Sequence, residues 1–391
     1  MTKHVLVITP SVRPGGGPAG YVYNHMVGYE ELRRAGKNKN EFVFFGKTGC
    51  SDRSPGKISD SFVSNIKKTI VALGLKHTVM DLIALFSRKK RQMKSEIKKA
   101  DIVIFQGPYN TNLARYAKQR SIIIYMPHSP TIAADEYRDL IRDSGKEIGP
   151  RYYENLKKEE KDIINIADTV VFPSIGAGKE YERNFSMQLI GKVVYLKSGL
   201  HTKVSSSDDK TDIFEKGKVN ILFAGRYVSH RGYDIFCDAA RLLSEAGFNA
   251  LFYCAGTGPL KIDTPHVQNL GWRNDIFDVI RSADIIAVPN RIAYYDLFPL
   301  ECAACGKPMV MAGVGGNADQ IKDLPDVIPC QPTVESLATA IRQAVEVHRT
   351  SDSWGEQNRH AYEEIFTAER LAQRWDEYVS SVPLKLQQQA R

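Results

Sequence analysis

Two arginines and a glutamate in the second half of the chain pose the functional question. Asn220-Ile221-Leu222-Phe223-Ala224 reads as a buried strand that ends in Gly225-Arg226, and Arg231-Gly232 follows before a helical stretch Tyr233–Leu243. A guanidinium is always charged and bonds phosphate as a fork, so two of them between a strand end and a helix start suit a diphosphate. The same spacing also suits two surface arginines in ordinary ion pairs. Tyr253-Cys254-Ala255-Gly256-Thr257-Gly258-Pro259 is another strand running into a glycine-rich turn, either a plain tight turn or a contact for a base or ribose. Then Asn290 through Glu301 leads into Cys302-Ala303-Ala304-Cys305-Gly306-Lys307-Pro308. That segment predicts a loop, a helix starting near Pro299, a stop at Gly306 and a buried strand. Glu301 then falls in the first helical turn, where it compensates the helix dipole or accepts hydrogen bonds from a ribose diol.

The first half offers a similar turn. Val5–Thr9 is followed by Pro14-Gly15-Gly16-Gly17-Pro18-Ala19-Gly20 and a helical stretch from Tyr21. Backbone amides in such a turn approach an anion closely, although a ligand-free turn has the same composition. Pro18 and the lack of a strand-end acid about twenty residues on argue against a dinucleotide oxidoreductase. Cys302 and Cys305 have helical spacing and no partner pair, and no Asp-x-Asp ends a strand, so no metal site is expected.

These turns need a scaffold. Strand-like runs occur at 5–9, 41–45, 101–106, 121–126, 169–173 and 193–197, then at 219–224, 250–255, 267–270, 284–288 and 308–312. Longer amphipathic stretches alternate with them, which predicts parallel sheets with crossover helices. The polar run His201–Lys210 divides the pattern into a domain at 1–200 and a second at 201–366, with a last helical stretch from Thr367 (367–391) crossing back to the first. Open sheets of this kind bind ligands at the carboxyl ends of their strands.

Composition fits that plan. A chain of 391 residues, 43% hydrophobic and 25% charged, favours two globular domains over disorder. The longest apolar runs are too short for a membrane-spanning helix or a signal-peptide core. Six scattered cysteines suit a reduced, cytoplasmic protein. The net charge of +8 is uneven: residues 1–200 carry 33 Lys+Arg against 20 Asp+Glu, and the remainder 20 against 25. No nucleic-acid-binding pattern accompanies the excess. Apolar residues recur at helical spacing from Val63 to Phe86, ahead of Arg88-Lys89-Lys90-Arg91, Lys94, Lys98 and Lys99. That combination suits peripheral docking on an anionic membrane, here the inner face of the plasma membrane, and equally a core-facing helix pair with a solvated end.

Taken in order, Gly225-Arg226, Arg231-Gly232, Gly256-Thr257-Gly258-Pro259, Gly271-Trp272, Ala283-Asp284, Glu301 with Ala304-Cys305-Gly306-Lys307-Pro308, and Gly315-Gly316 resemble family 4 of the retaining nucleotide-sugar glycosyltransferases. Gly15-Gly16, His128 and Ala167–Ser174 extend the resemblance over nearly the whole chain, and Leu196–His201 is similar to the family's interdomain segment. It implies the α/β GT-B fold, with two Rossmann-like domains facing each other across a cleft: an acceptor domain first, a nucleotide-sugar domain second. It implies transfer of a hexose from a UDP- or GDP-linked donor to a surface-glycan or lipid-linked acceptor, without a metal or other cofactor. Arg226 and Arg231 would neutralise the diphosphate, Glu301 would bind ribose, and backbone amides over Leu297, Phe298, Pro299 and Leu300 would touch phosphate or sugar. His128 would meet the sugar near its C6 hydroxyl, and Gly15 and Gly16 would let the first loop close on the donor. Gly256 and Gly258 belong to the same donor-binding set.

Two positions depart from the family pattern. Arg231 stands where lysine is usual, and Ala293 stands where a first glutamate precedes Glu301 by eight residues. Asp296, in the same loop, is the nearest acid to replace it, while Tyr294 and Tyr295 are bulky enough to reshape the pocket. The alternatives are a nucleotide-sugar epimerase of the same fold, or a catalytically weak, membrane-associated partner of another transferase.

Overall fold

A computed structural model describes residues 2–48, 88–108, 111–202, 213–351 and 353–384. Each half of the chain forms one six-stranded, wholly parallel sheet. The first contains β1 (His4–Val12), β2 (Glu41–Thr48), β3 (Ile102–Gln106), β4 (Ile122–Met126), β5 (Thr169–Phe172) and β6 (Val193–Tyr195), in the order β2-β1-β3-β4-β5-β6. The second contains β7 (Val219–Ala224), β8 (Ala250–Ala255), β9 (Gln268–Asn269), β10 (Ile285–Val288), β11 (Met309–Ala312) and β12 (Val327–Cys330), in the order β12-β11-β10-β7-β8-β9. The central strands are buried along their whole length, as Ile102–Phe105 and Ile285–Ala287 illustrate. Parallel sheets covered by helices on both faces require such continuous apolar runs.

Helices cover both faces of each sheet. In the first domain α1 (Gly17–Arg34) and α13 (Ala368–Ser381) close one face, where Tyr21, Val22, Leu371 and Trp375 pack on Val5, Val7 and Ile104. The other face carries α2 (Arg88–Lys99), α3 (Thr111–Lys118), α5 (Pro150–Ile166) and α6 (Ile175–Phe185). Helix α4 (Ala133–Asp143) lies against α5. In the second domain α7 (Tyr233–Glu245) and α11 (Val334–Thr350) cover one face. The opposite face is covered by α8 (Ile276–Ser282), α9 (Leu297–Ala304) and the turn of π-helix at Tyr362–Phe366. Helices α10 (Gly315–Asp323) and α12 (Glu356–Ala361) complete the chain order.

Helix α13 returns to the first domain. Lys3 Nζ donates to the carbonyls of Val379 (2.7 Å) and Ser380 (2.9 Å), where a cation also complements the helix dipole. Asp376 accepts from the amides of Lys39 (2.8 Å) and Asn40 (3.0 Å). Gly28 of α1 leaves no room for a side chain, since a Cβ there would lie 1.9 Å from the Ala368 carbonyl oxygen.

Three readings need correction. Strand β12 escaped because Pro329 interrupts a four-residue run; as an edge strand it tolerates the missing donor. Helix α1 begins at Gly17 rather than Tyr21, because Pro18 in its first turn presets a helical φ. Helix α9 begins at Leu297, two residues before Pro299, so Glu301 falls outside its first turn. The apolar stretch Val63–Phe86 lies outside the described residues. Its basic continuation forms α2, whose Ile97 is fully buried in the first domain's core.

Candidate functional site

The carboxyl ends of the two sheets face one another. His128 follows β4 and Ser174 follows β5; opposite them stand Arg226 after β7, the 289–296 loop after β10 and Gly315 after β11. The domains touch directly. Gly176 donates its amide to Asp319 at 2.6 Å, and a Cβ on Gly176 would lie 2.3 Å from the Gly315 carbonyl. Lys197 pairs with Asp323 at 2.7 Å. Asp143, the last residue of α4, accepts from the Ser229 amide at 3.2 Å and hydroxyl at 3.1 Å.

Both arginines sit in this cleft, and both face carboxylates. Arg226 is half exposed, and its guanidinium lies 3.7 Å from Glu136 of α4, across the cleft. Arg231 bonds Asp296, which also accepts from Asn290 and is only 10% exposed. Gln320 holds the Asp296 carbonyl at 2.8 Å. Asp296 is thus committed to the arginine and is not free to replace the acid missing at Ala293. Ala293 itself is buried, its carbonyl taken by the Gly316 amide at 3.0 Å.

Sequence reasoning missed His230, which lies between the two arginines. Burial and then the charges of Arg231 and Arg226 hold its imidazole down to about 3, so it is neutral at physiological pH. A histidine flanked by arginines is a signal that could have been read. Arg291 braces the same turn through paired bonds to Asp234 at 2.6 and 2.7 Å and one to the Ser229 carbonyl at 2.6 Å.

Glu301 is partly buried with no hydrogen-bond partner among the described residues, and burial raises its carboxyl to about 7. The α9 N-terminus presents the amides of Leu297, Phe298 and Leu300; Pro299 has none to give, so its place in the set is steric. Leu297 reaches the first domain, its Cδ1 lying 3.6 Å from where a Cβ on Gly20 would project.

The glycines divide into two groups. Gly256 and Gly258 serve backbone packing: a Cβ on Gly256 would lie 1.9 Å from the Gly225 oxygen, and one on Gly258 would lie 2.2 Å from the Tyr227 oxygen. Gly225 and Tyr227 in turn donate to Ala255 and Thr257, so the two strand-end loops lie flat on one another. Gly15 and Gly16 are different. Both are exposed, and a Cβ on either would meet open space.

His128 is held from three sides. Its Nε2 bonds Gln106, Tyr21 meets it edge-on at 4.9 Å, and Tyr294 lies 6.3 Å away from the opposite domain. Burial takes its imidazole down to about 3. Its φ of 62° is left-handed, which is rare for a residue with a Cβ and concentrates at functional sites.

Glu160 supports this wall from behind. It is fully buried and accepts from Tyr181 Oη (2.6 Å), Tyr125 Oη (3.2 Å) and the Ala133 amide (2.6 Å) that starts α4. Burial raises its carboxyl to about 7, so the native state keeps a proton that the unfolded chain releases near 4.5. Its contribution to stability is complete below about pH 4.5 and declines as pH rises through 7. The advantage of wild type over Glu160→Gln in thermal melts should therefore shrink between pH 5 and pH 8. An unchanged gap would place the carboxyl's titration outside that range.

Comparison with known proteins identifies the parts. Residues 218–346 match the family described as Glycosyl transferases group 1. An uncharacterized glycosyltransferase of Methanocaldococcus jannaschii is 28% identical over 127 residues, covering 29% of this chain and 35% of the relative. The N,N'-diacetylbacillosaminyl-diphospho-undecaprenol alpha-1,3-N-acetylgalactosaminyltransferase of Campylobacter jejuni is 25% identical over 162 residues, 38% of this chain and 43% of the relative. The matches thus span less than half the length of these curated relatives. The crystal structure of Anabaena HepE in complex with UDP and glucose is similar over 97% of this chain and all of its own, with a TM-score of 0.65 and 13% identity. The fold is GT-B, and within its second half residues 218–346 are similar to the Glycosyl transferases group 1 family.

Proposed function

We propose that the protein is a retaining glycosyltransferase that moves a hexose from a nucleotide diphosphate sugar to a surface-glycan or lipid-linked acceptor. One observation carries this reading. Two arginines and a helix N-terminus meet on one side of a cleft, Glu301 lies one turn further along that helix, and His128 stands on the other side. A departing nucleotide diphosphate gathers negative charge, and fixed cations and amides aimed at it lower the barrier. Arg226 and Arg231 take that role, and ligand phosphates would compete with Glu136 and Asp296 for them. Glu301, with no hydrogen-bond partner among the described residues, accepts from the ribose hydroxyls. His128, neutral and held by Gln106, addresses the sugar. The open space over Gly15 and Gly16 leaves the first loop free to approach the donor. The exposed Trp272, following the Gly271 carbonyl that holds the Gly256 amide, offers a ring face to the base. The reaction as proposed draws its charge stabilisation from protein groups and requires no metal.

One relative named for a diphospho-undecaprenol-linked sugar, and a GT-B neighbour holding UDP and glucose, support a UDP-linked donor and a lipid-linked acceptor over the epimerase reading. Docking of the first domain on an anionic surface rests on its basic excess. No described helix is long and apolar enough to cross a membrane.

The nucleotide site is tested at Glu301. Glu301→Ala should weaken binding of UDP or GDP about tenfold or more, the loss expected for hydrogen bonds to a charged group. With its carboxyl near 7, the Glu301-dependent part of the affinity should grow from pH 6 to pH 8 as the acceptor ionises. Calorimetry across that range, with Glu301→Gln as the neutral control, reads both effects. Equal affinity in wild type and both variants would remove Glu301 from the site.

A further inference from the structure

Tyr294 belongs to the second domain by sequence but packs against the first. Its ring joins both core clusters of the first sheet, with centroids 6.3 Å from His128 and 6.4 Å from Phe172. Its hydroxyl is buried beside the His128 backbone without a formed hydrogen bond. The next residue, Tyr295, has a φ of 155°, a left-handed value that L side chains rarely adopt. The loop backbone is pressed against α10, where a Cβ on Gly316 would lie 1.9 Å from the Tyr294 oxygen. Among the described residues only three non-glycine residues have positive φ, and two of them, His128 and Tyr295, stand on either side of this ring. Two strained residues meeting through one side chain across a domain boundary indicate a conformation imposed by the contact.

We infer that Tyr294 is a positioning residue: it latches the nucleotide-sugar domain onto the acceptor domain and, by doing so, sets His128 for the donor sugar. The inference rests on the reading of His128 given above. The ring supplies the contact. The hydroxyl, buried beside the His128 backbone with no well-formed hydrogen bond, works against it, because a poorly satisfied buried polar group favours an open state in which water reaches it. The latch is accordingly reversible, closing when ligand contacts add to the ring's and opening for product release. The groups of the nucleotide site, Arg226, Arg231 and Glu301, all lie in the second domain, so nucleotide affinity does not require the latch.

Two variants separate ring from hydroxyl. Tyr294→Ala should lower kcat at least tenfold, leave UDP or GDP affinity within twofold, and enlarge the radius of gyration in small-angle scattering. Tyr294→Phe keeps the ring and removes the poorly satisfied hydroxyl. It should hold kcat within about threefold of wild type and match or exceed its Tm. Wild-type turnover in Tyr294→Ala would overturn the latch. So would an equal loss of nucleotide affinity, the mark of general unfolding, or a Tyr294→Phe as impaired as Tyr294→Ala, the mark of a hydroxyl that binds substrate. Should the wild type transfer sugar from no nucleotide donor, the proposed reaction fails; scattering of Tyr294→Ala still decides the latch by itself.

Discussion

Arg226→Ala and Arg231→Ala should each slow sugar transfer by about a hundredfold, the loss that follows removal of one preorganised transition-state contact. The two should differ in what else they disturb. Arg226 is half exposed and its carboxylate neighbour lies at 3.7 Å, so its removal should leave the melting temperature almost unchanged. Arg231 is the chief partner of a carboxylate only 10% exposed, and its loss leaves Asp296 to Asn290 alone. That variant should melt lower and bind nucleotide diphosphate more weakly than Arg226→Ala, because an uncompensated negative charge then faces the phosphates. Adding Asp296→Asn to Arg231→Ala should recover part of the nucleotide affinity and little of the turnover. Release of nucleotide diphosphate from a donor panel, with calorimetry on the same variants, provides the check. Full activity in either single variant would end the clamp assignment.

The second large effect concerns backbone rather than charge. Gly316→Ala adds one methyl group 1.9 Å from the Tyr294 oxygen and 2.5 Å from its carbonyl carbon. Backbone atoms cannot step aside as a flexible side chain does, so the 293–296 loop must shift and take Asp296 and Tyr294 with it. Overpacking of this kind costs about 1–3 kcal/mol, and turnover should fall tenfold or more. Gly16→Ala is the counterpart, because its Cβ projects into open space. Its melting temperature should match wild type while its turnover falls, if the first loop closes over the donor. Gly316→Ala melting and turning over like wild type would show that the loop has slack that its packing does not reveal.

How much of this was legible in the sequence depended on what kind of signal each part leaves. Eleven strands were readable as short runs between turns, most of them apolar because most of the strands are buried; β12 was not, since Pro329 interrupts its run. The charged residues of the cleft could be listed from their spacing. Their pairings could not, because Arg226 meets Glu136, and Ser229 meets Asp143, only when two separate sheets are set face to face. Glycines showed the sharpest ambiguity. Gly16 and Gly256 look alike in sequence, yet one borders free space and the other lets two loops stack. Glu160 gave no signal at all, lying in the charged run Lys157-Lys158-Glu159-Glu160-Lys161. Its burial comes from Tyr125 and Tyr181, contributed by a strand and a helix on either side of it in the chain.

The return of α13 to the first sheet has a consequence for how this chain folds during synthesis. One face of the first domain stays bare of Leu371, Trp375 and Val379 until those residues, which follow the whole second domain, have emerged from the ribosome. Val5, Val7 and Ile104 must wait through the synthesis of an entire second domain for their last covering. Domains usually fold as units in order of synthesis, but here the second domain, with its contiguous sheet, can reach its native packing before the first. A released chain ending before residue 368 should carry a folded second sheet beside a first one with an open apolar face, a form exposed to chaperones and proteases.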